Sequence, residues 1–219
     1  MSDDDFRLAI ERGAADQVER ALQANPLLAN QTIRWYLNQP NQSDPLHYVS
    51  DCVSNGWLTN GREGEIAKLL LAHGAAVDGT QGRESPLIAS VSLGAERVAR
   101  VLLDAGAELE STSIFGSRAL HWAAWVGAPT AVEMLLARGA QLEPKCTEFG
   151  ATPLFWAVHG YGPDGCEPKR NQVGAARVLI KAGARVVTSN KHGLSALDLA
   201  RTCAQPDMYQ LLNEAAPAA

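Results

Sequence analysis

Four segments of this sequence share one pattern, in which a short apolar stretch at helical spacing runs into a glycine. They are KLLLAHGAAVD (68–78), RVLLDAGAELE (100–110), EMLLARGAQLE (133–143) and RVLIKAGARVV (177–187). Their glycines lie 32, 33 and 44 residues apart, a spacing typical of stacked supersecondary units. Because one such unit cannot bury its apolar face alone, the repeat predicts neighbouring units that stack on one another.

A second pattern leads each unit and keeps a fixed phase with the first. It reads DPLHYVS (44–50), SPLIASV (85–91), RALHWAA (118–124), TPLFWAV (152–158) and SALDLAR (195–201). Together the two patterns resemble the ankyrin repeat, with T-P-L-H-x-A-A, a glycine, and a second helix ending in L-L-x-x-G-A, and residues 118–143 match it nearly throughout. The resemblance covers about 44–201. It implies an all-α ankyrin-repeat solenoid of helix-turn-helix units with finger-like turns.

The repeat boundaries predict a single ankyrin-repeat domain over residues 1–219. Residues 6–30 resemble a degenerate N-terminal capping helix pair, and residues 195–215 resemble a truncated C-terminal capping repeat. The four repeats between them lie at 44–78, 85–110, 117–143 and 151–187. Glycines such as Gly106 and Gly139 stand where a left-handed C-cap ends the second helix of a unit.

The net charge, the N-terminal sequence and the cysteine spacing each disfavour some classes of partner, cellular location or cofactor. A formal net charge of −5 disfavours nucleic acid or an anionic membrane, since both require clustered Lys and Arg. The acidic start MSDDDFRLAIERG lacks the features of a signal peptide, and no apolar run is long enough to cross a bilayer, so we predict a cytoplasmic protein. No cysteine pair has C-x-x-C spacing, and Cys146, Cys166 and His159 are irregularly spaced, so no metal and no cofactor are predicted.

Two repeats carry extra residues between their helices, at 54–64 and 159–174, and a third irregular stretch spans 31–43. Glycine, proline and asparagine mark the two insertions as loops. The three segments nevertheless contain large apolar side chains, namely Trp35, Tyr36, Leu37, Trp57, Leu58 and Tyr161. Such side chains must pack on something or form an exposed patch. We expect them to pack against the solenoid, with a direct ligand-binding role as the alternative.

The repeat register predicts which first-helix residues face the concave groove. Leu120, Ala123 and Ala124 should pack inward, whereas Trp125 should be open to solvent. Groove places equivalent to Trp125 are Asp51, Ser92 and His159, and the border between core and groove includes Tyr48, Trp122 and Trp156. The finger tips add Phe115 and Phe149. Aromatic side chains of this kind anchor interfaces and ligand pockets, which predicts a binding surface centred on repeats 3 and 4.

The histidines fall into two groups. His47 and His121 occupy the histidine of the T-P-L-H pattern, which in the family ties neighbouring loops together, so we interpret them as structural. His159 departs from the pattern and stands at a groove place near aromatic side chains. It is the best candidate for a functional histidine.

Two functions of different classes remain open. The first is a recognition module that holds a protein or peptide partner in the aromatic groove, as the resemblance implies. The second is an enzyme or a binder of a small hydrophobic or aromatic ligand, with the groove roofed by the segments 31–43, 54–64 and 159–174. Asp51, His159 and Tyr161 would then be available for acid–base work, although no catalytic motif is recognised. An open groove favours a polypeptide, and an enclosed cavity favours a small ligand.

Overall fold

The computed structural model describes residues 2–161, 171–203 and 205–216. Its contacts group into two compact units, Met1–Glu108 and Leu109–Ala219, which we call the first unit and the second unit. Within the described residues the regular structure is almost entirely α-helical, which confirms the predicted all-α class. The organisation as one domain stays a prediction.

The first unit consists of three helix pairs and one hairpin. The helices are α1 (Asp3–Glu11), α2 (Ala15–Ala24), α3 (Pro45–Ser54), α4 (Glu63–Ala72), α5 (Pro86–Ser92) and α6 (Glu96–Asp104), and a 3-10 turn spans Pro26–Ala29. The strands β1 (Ile33–Tyr36) and β2 (Pro40–Ser43) pair antiparallel, with Ile33 opposite Ser43. Proline opens α3 and α5, where its missing N–H leaves no hydrogen bond unmade.

The hairpin replaces the irregular stretch predicted at 31–43. Ile33 and Trp35 are buried while Arg34 and Tyr36 are exposed, because alternate side chains of a strand point to opposite faces. Trp35 packs on Tyr48, with 4.8 Å between the ring centroids. The expectation that the large apolar side chains of this segment pack against the solenoid is wrong for Tyr36 and Leu37, whose exposed fractions are 78% and 58%.

The insertion at 54–64 folds back onto the first unit. The backbone N–H groups of Trp57 and Leu58 both donate to the carbonyl of Cys52, at the last turn of α3. Leu58 is buried, and the Trp57 ring lies 6.4 Å from that of Tyr48. Most of the insertion predicted at 159–174, together with Cys166, lies outside the described residues, which resume at 171.

The second unit contains three further helix pairs. They are α7 (Ala119–Trp125) with α8 (Pro129–Ala137), α9 (Pro153–Gly160) with α10 (Gln172–Lys181), and α11 (Ala196–Thr202) with α12 (Pro206–Glu214). A 3-10 turn at Ile114–Gly116 precedes the first pair. Leu120, Ala123 and Ala124 are buried, as the register predicts.

The fingers that precede α7, α9 and α11 are joined by backbone hydrogen bonds. The carbonyl of Phe115 accepts from the N–H of Glu148 at 3.1 Å, and the carbonyl of Phe149 accepts from the N–H of Lys191 at 2.9 Å. The two bonds are equivalent, because each joins the residue before the glycine of one finger to the residue two places before the glycine of the next. Side chains that repeat just before the glycine, as Phe115 and Phe149 do, are therefore held in one row.

Candidate binding site

A cavity of about 500 Å³ lies in the second unit, between the fingers and the first helices of the pairs. We call it the aromatic cavity, because half of its described lining residues are aromatic: Phe115, Trp122, Trp125, Phe149, Phe155 and Trp156. The aliphatic side chains of Ala151, Leu194 and Leu199 complete the apolar lining, and the remaining residues are His159, Asn190 and His192.

Trp156, on α9, is the centre of the aromatic cluster. Its ring centroid lies 5.4 Å from that of Trp122 and 5.8 Å from that of Trp125, with interplanar angles of 73° and 69°. Edge-to-face pairs of this kind bring the positive edge of one ring to the negative face of another. Trp156 is itself buried, whereas Trp122 and Trp125 are half-buried and keep part of their surface towards solvent.

The finger wall of the cavity rests on an unusual backbone conformation. Phe115 has φ 63° and is the sole non-glycine residue with positive φ among those described, in a region that bulky side chains rarely adopt. Hydrogen bonds across its turn, from the N–H of Ser113 to the carbonyl of Ser117 and from Gly116 to Ser113, hold this conformation. Its ring then packs 5.4 Å from that of Phe149. Strained conformations of this kind cluster at ligand-binding sites.

The polar groups of the cavity are hydrogen-bond donors or imidazoles. The His159 ring stacks on Trp125, with 5.1 Å between centroids and 27° between planes. Asn190 Oδ1 accepts from the N–H groups of His192 and Leu194 at 2.9 and 3.1 Å. The amide N–H groups of this side chain are therefore the part that these two bonds do not use. The indole N–H of Trp122 is buried with no acceptor among the described residues. No carboxylate belongs to the described lining.

The comparison with known protein families agrees with this architecture. A family model described as ankyrin repeats, in three copies, matches residues 51–146. The chain is an ankyrin repeat protein. The helix pairs of the described structure and the repeat pattern in the sequence together support an all-α ankyrin-repeat solenoid. The match covers the part of the cavity wall formed by Phe115, Trp122 and Trp125, and the rest of the wall lies C-terminal to it.

The structure brings most of the predicted groove residues of repeats 3 and 4 into this one cavity. Phe115, Phe149, Trp122, Trp125, Trp156 and His159 all belong to its described lining. The sequence interpretation missed Phe155, which stands in place of the repeat histidine. It also missed Asn190 and Leu194, although the finger NKHGL (190–194) repeats the positions of SIFGS (113–117) and would have indicated them.

The predicted groove residues of the first unit have other roles. Tyr48, predicted at the border between core and groove, is fully buried, because Trp35 and Trp57 cover it from the hairpin and the insertion. Its hydroxyl donates to Glu11 at 2.5 Å. Ser92 is half-buried and donates to the carbonyl of Ala89 at 3.2 Å.

The predicted acid–base set is not assembled within either unit. Asp51 belongs to the first unit, where it accepts from Ser43 at 3.2 Å and lies 3.7 Å from His47. Burial raises the pKa of this carboxyl group above its usual value, and the nearby His47 partly offsets that effect. His159 and Tyr161 belong to the second unit, and the described lining of the cavity does not include Tyr161.

The roof predicted from the insertions is also not found in the described lining. Trp35, Trp57 and Leu58 pack inside the first unit, and every described residue that lines the cavity belongs to the second unit. The segments 31–43 and 54–64 therefore contribute nothing to the lining that the structure describes. The contribution predicted for 159–174 lies mostly outside the described residues.

The structural interpretation of His121 is confirmed. The imidazole is fully buried, Nδ1 accepts from the N–H of Arg118 at 3.1 Å, and Nε2 lies 3.1 Å from the carbonyl oxygen of Ala151 in the next finger. These partners fit the neutral tautomer with its proton on Nε2. Burial lowers the pKa of His121 to about 4.

No group of three or more His, Cys, Asp or Glu side chains in the described residues is arranged to hold a metal ion. Within the same ranges, no helix has both the length and the apolar character that crossing a bilayer would require. The cytoplasmic location stays a prediction.

Proposed function

We propose that this ankyrin repeat protein is a recognition module whose aromatic cavity receives an apolar side chain of a protein or peptide partner. Ankyrin repeats generally mediate protein–protein interaction, which gives the class of function. We locate the proposed binding at the aromatic cavity, because large aromatic side chains in a desolvated pocket are the usual anchors of an interface.

The apolar rim of the cavity carries the proposal. Four large apolar side chains on the fingers are exposed, with fractions of 61% for Ile114, 39% for Phe115, 37% for Phe149 and 41% for Leu194. Three of them also line the cavity, so the apolar surface continues from the interior onto the finger tips. A ligand small enough to fit inside would leave this rim in water, whereas a polypeptide would cover both. A continuous apolar patch of this kind marks an interaction site.

A selection from a random peptide library displayed on phage, with the full chain as bait, tests the proposal. Trp125→Ala should weaken the binding of a selected peptide by at least about 2 kcal/mol, or roughly thirtyfold. Tyr36→Ala is the matched control, because it removes an exposed aromatic side chain of the first unit. Equal affinities for Trp125→Ala and the parent protein would contradict the role of the cavity.

A small hydrophobic or aromatic ligand is the second candidate, and the size of the cavity favours it. A volume of about 500 Å³ falls within the range of about 300–1,000 Å³ typical of small-molecule pockets. A thermal-shift screen of aromatic and aliphatic compounds should then give hits that quench tryptophan fluorescence and that Trp125→Ala abolishes. Hits that Trp125→Ala leaves unchanged would exclude this candidate.

A further inference from the structure

Charge is unevenly divided between the two units. Residues 1–108 contain nine Lys and Arg against 15 Asp and Glu, whereas residues 109–219 contain ten against nine. The first unit therefore carries the whole negative excess of the chain, and the second unit, which contains the aromatic cavity, is slightly basic. An acidic partner would be repelled by the first unit but not by the second.

Two lysines lie on or next to the fingers that border the cavity. Lys191 stands between the lining residues Asn190 and His192, and its ammonium group donates to the carbonyl of Thr147 in the preceding finger. Lys145 Nζ donates to the carbonyl of Ser189 at 3.0 Å. The Lys191 ammonium group thus bridges to the preceding finger, and the Lys145 ammonium group bridges to the residue just before the finger 190–194. Both bonds hold a positive charge at the base of these fingers.

Neither lysine is neutralised by an acidic side chain among the described residues. Among the described residues of the second unit, ion pairs join Arg118 to Glu110, Arg185 to Glu143 and Arg201 to Asp198, and none of these carboxylates pairs with Lys145 or Lys191. The three fingers 113–117, 147–151 and 190–194 contain one carboxylate, Glu148, and one lysine, Lys191, and Lys145 lies two residues before the second finger. Lys145, Lys191 and Glu148 therefore sum to a net charge of +1.

The interior of the cavity has the same bias. The side-chain oxygen of Asn190 already accepts from the N–H groups of His192 and Leu194 in its own loop, so the amide N–H groups are the part of this side chain left to a partner. The described lining contains no carboxylate that would pair with a cation. A buried cation without a partner is strongly disfavoured, so a Lys or Arg side chain of a partner does not fit the interior.

From these observations we propose that the partner is an acidic segment with a bulky apolar anchor. An aromatic or large aliphatic side chain enters the aromatic cavity, and Asp or Glu residues beside it pair with Lys145 and Lys191 at the base of the fingers. The inference rests on the proposed function and adds the chemistry of the partner. The apolar anchor supplies most of the affinity, and the acidic neighbours supply selectivity and speed of association.

The composition of the peptides selected from the random phage library tests this inference. We expect the pool bound by the parent protein to be enriched in an aromatic or large aliphatic residue with Asp or Glu beside it. Synthetic versions of a selected peptide in which the acidic neighbours are replaced by Lys should bind at least about tenfold more weakly, which corresponds to about 1.4 kcal/mol. Because the pairs are exposed, this difference should shrink as salt is added.

Charge reversal on the protein provides the matched comparison. In the double variant Lys145→Glu/Lys191→Glu, the acidic enrichment should disappear while the apolar anchor persists. Lys181→Glu changes the same charge at an exposed position at the end of α10 and should leave the preference intact. Circular dichroism of the double variant establishes that it is folded.

The outcomes separate the inference from the function on which it rests. An enriched apolar anchor that depends on Trp125, with neutral or basic neighbours, overturns the acidic partner and leaves the recognition function in place. A selected pool without an apolar anchor, or binding that Trp125→Ala leaves unchanged, overturns both. Acidic enrichment that survives Lys145→Glu/Lys191→Glu overturns the assignment of these two lysines.

Discussion

The Trp125 indole stacks on the His159 imidazole, with 5.1 Å between ring centroids and 27° between ring planes. The two residues end the first helices of successive repeats, and Gln172 fixes their approach by donating to the carbonyls of Trp125 and Gly160, each at 3.2 Å. The wall of the aromatic cavity therefore depends on how closely the ends of α7 and α9 approach. That approach is close enough for a single methyl group to disturb it.

Gly160→Ala should disturb this wall. A Cβ atom at position 160 would lie 2.4 Å from the carbonyl oxygen of Trp125, a backbone atom that cannot rotate away. Alanine favours helix over glycine by about 0.5–1 kcal/mol, but the clash should outweigh this gain. We expect a net loss of about 1–3 kcal/mol in the free energy of unfolding, measured by urea denaturation, with a change in tryptophan fluorescence.

Gly64→Ala is the control for this substitution. Gly64 is also helical, and the atom nearest to an added Cβ would be the Cβ atom of Arg97 at 3.3 Å, so a shift of only a few tenths of an ångström relieves the contact. The helix preference of alanine should make this variant about as stable as the parent protein or slightly more stable. Equal losses for Gly160→Ala and Gly64→Ala would show that the approach of α7 and α9 is not tight.

Trp125→Ala and Leu120→Ala should differ in stability, although both remove a large side chain from α7. Trp125 is half-buried and contacts Trp156 and His159, so its truncation should cost about 1–2 kcal/mol. Leu120 has an exposed fraction of 2%, and emptying its place should cost about 2–5 kcal/mol. Urea denaturation of both variants measures the difference. If Trp125→Ala were the more destabilising of the two, Trp125 would be a core residue and not a binding anchor.

The repeat register predicts many of the residues that line the cavity, but it does not predict how an inserted segment packs against an equivalent residue in another repeat. Because the repeats keep one phase, the places of Trp125 and His159 on the groove follow from the sequence alone. Tyr48 occupies the same register place as Trp122, yet it is fully buried while Trp122 is half-buried. The difference comes from Trp35, which the hairpin brings to within 4.8 Å of Tyr48. Such a contact depends on how an inserted segment folds back, which the repeat pattern does not encode.

Tyr48→Phe should destabilise the first unit. The substitution removes the hydrogen bond from the Tyr48 hydroxyl to Glu11 and keeps the ring that packs on Trp35. A hydrogen bond to a charged group contributes about 1.5–3 kcal/mol, and we expect a loss of this size in urea denaturation. Tyr36→Phe is the control, because that side chain is 78% exposed and its loss should be within about 0.5 kcal/mol. A Tyr48→Phe variant as stable as Tyr36→Phe would contradict the bond.

The buried His121 should make the protein less stable in mild acid. Burial lowers its pKa to about 4 in the folded state, against about 6.5 in an unfolded chain. Between these values the unfolded chain binds a proton that the folded protein does not, so the stability contribution is complete above about pH 6.5 and is lost as the pH falls towards 4. At about 1.36 kcal/mol per pKa unit, this single group should lower the free energy of unfolding by about 3 kcal/mol.

His121→Gln isolates this contribution from the carboxylates that titrate in the same range. The variant should be less stable than the parent at about pH 7, because the bonds to Arg118 and Ala151 are replaced imperfectly, but its stability should fall less steeply between about pH 6.5 and 4. Urea denaturation of His121→Gln and the parent at several pH values measures both slopes. Parallel curves for His121→Gln and the parent would mean that His121 takes up its proton without unfolding, and that its contact with the Ala151 carbonyl does not depend on the neutral ring.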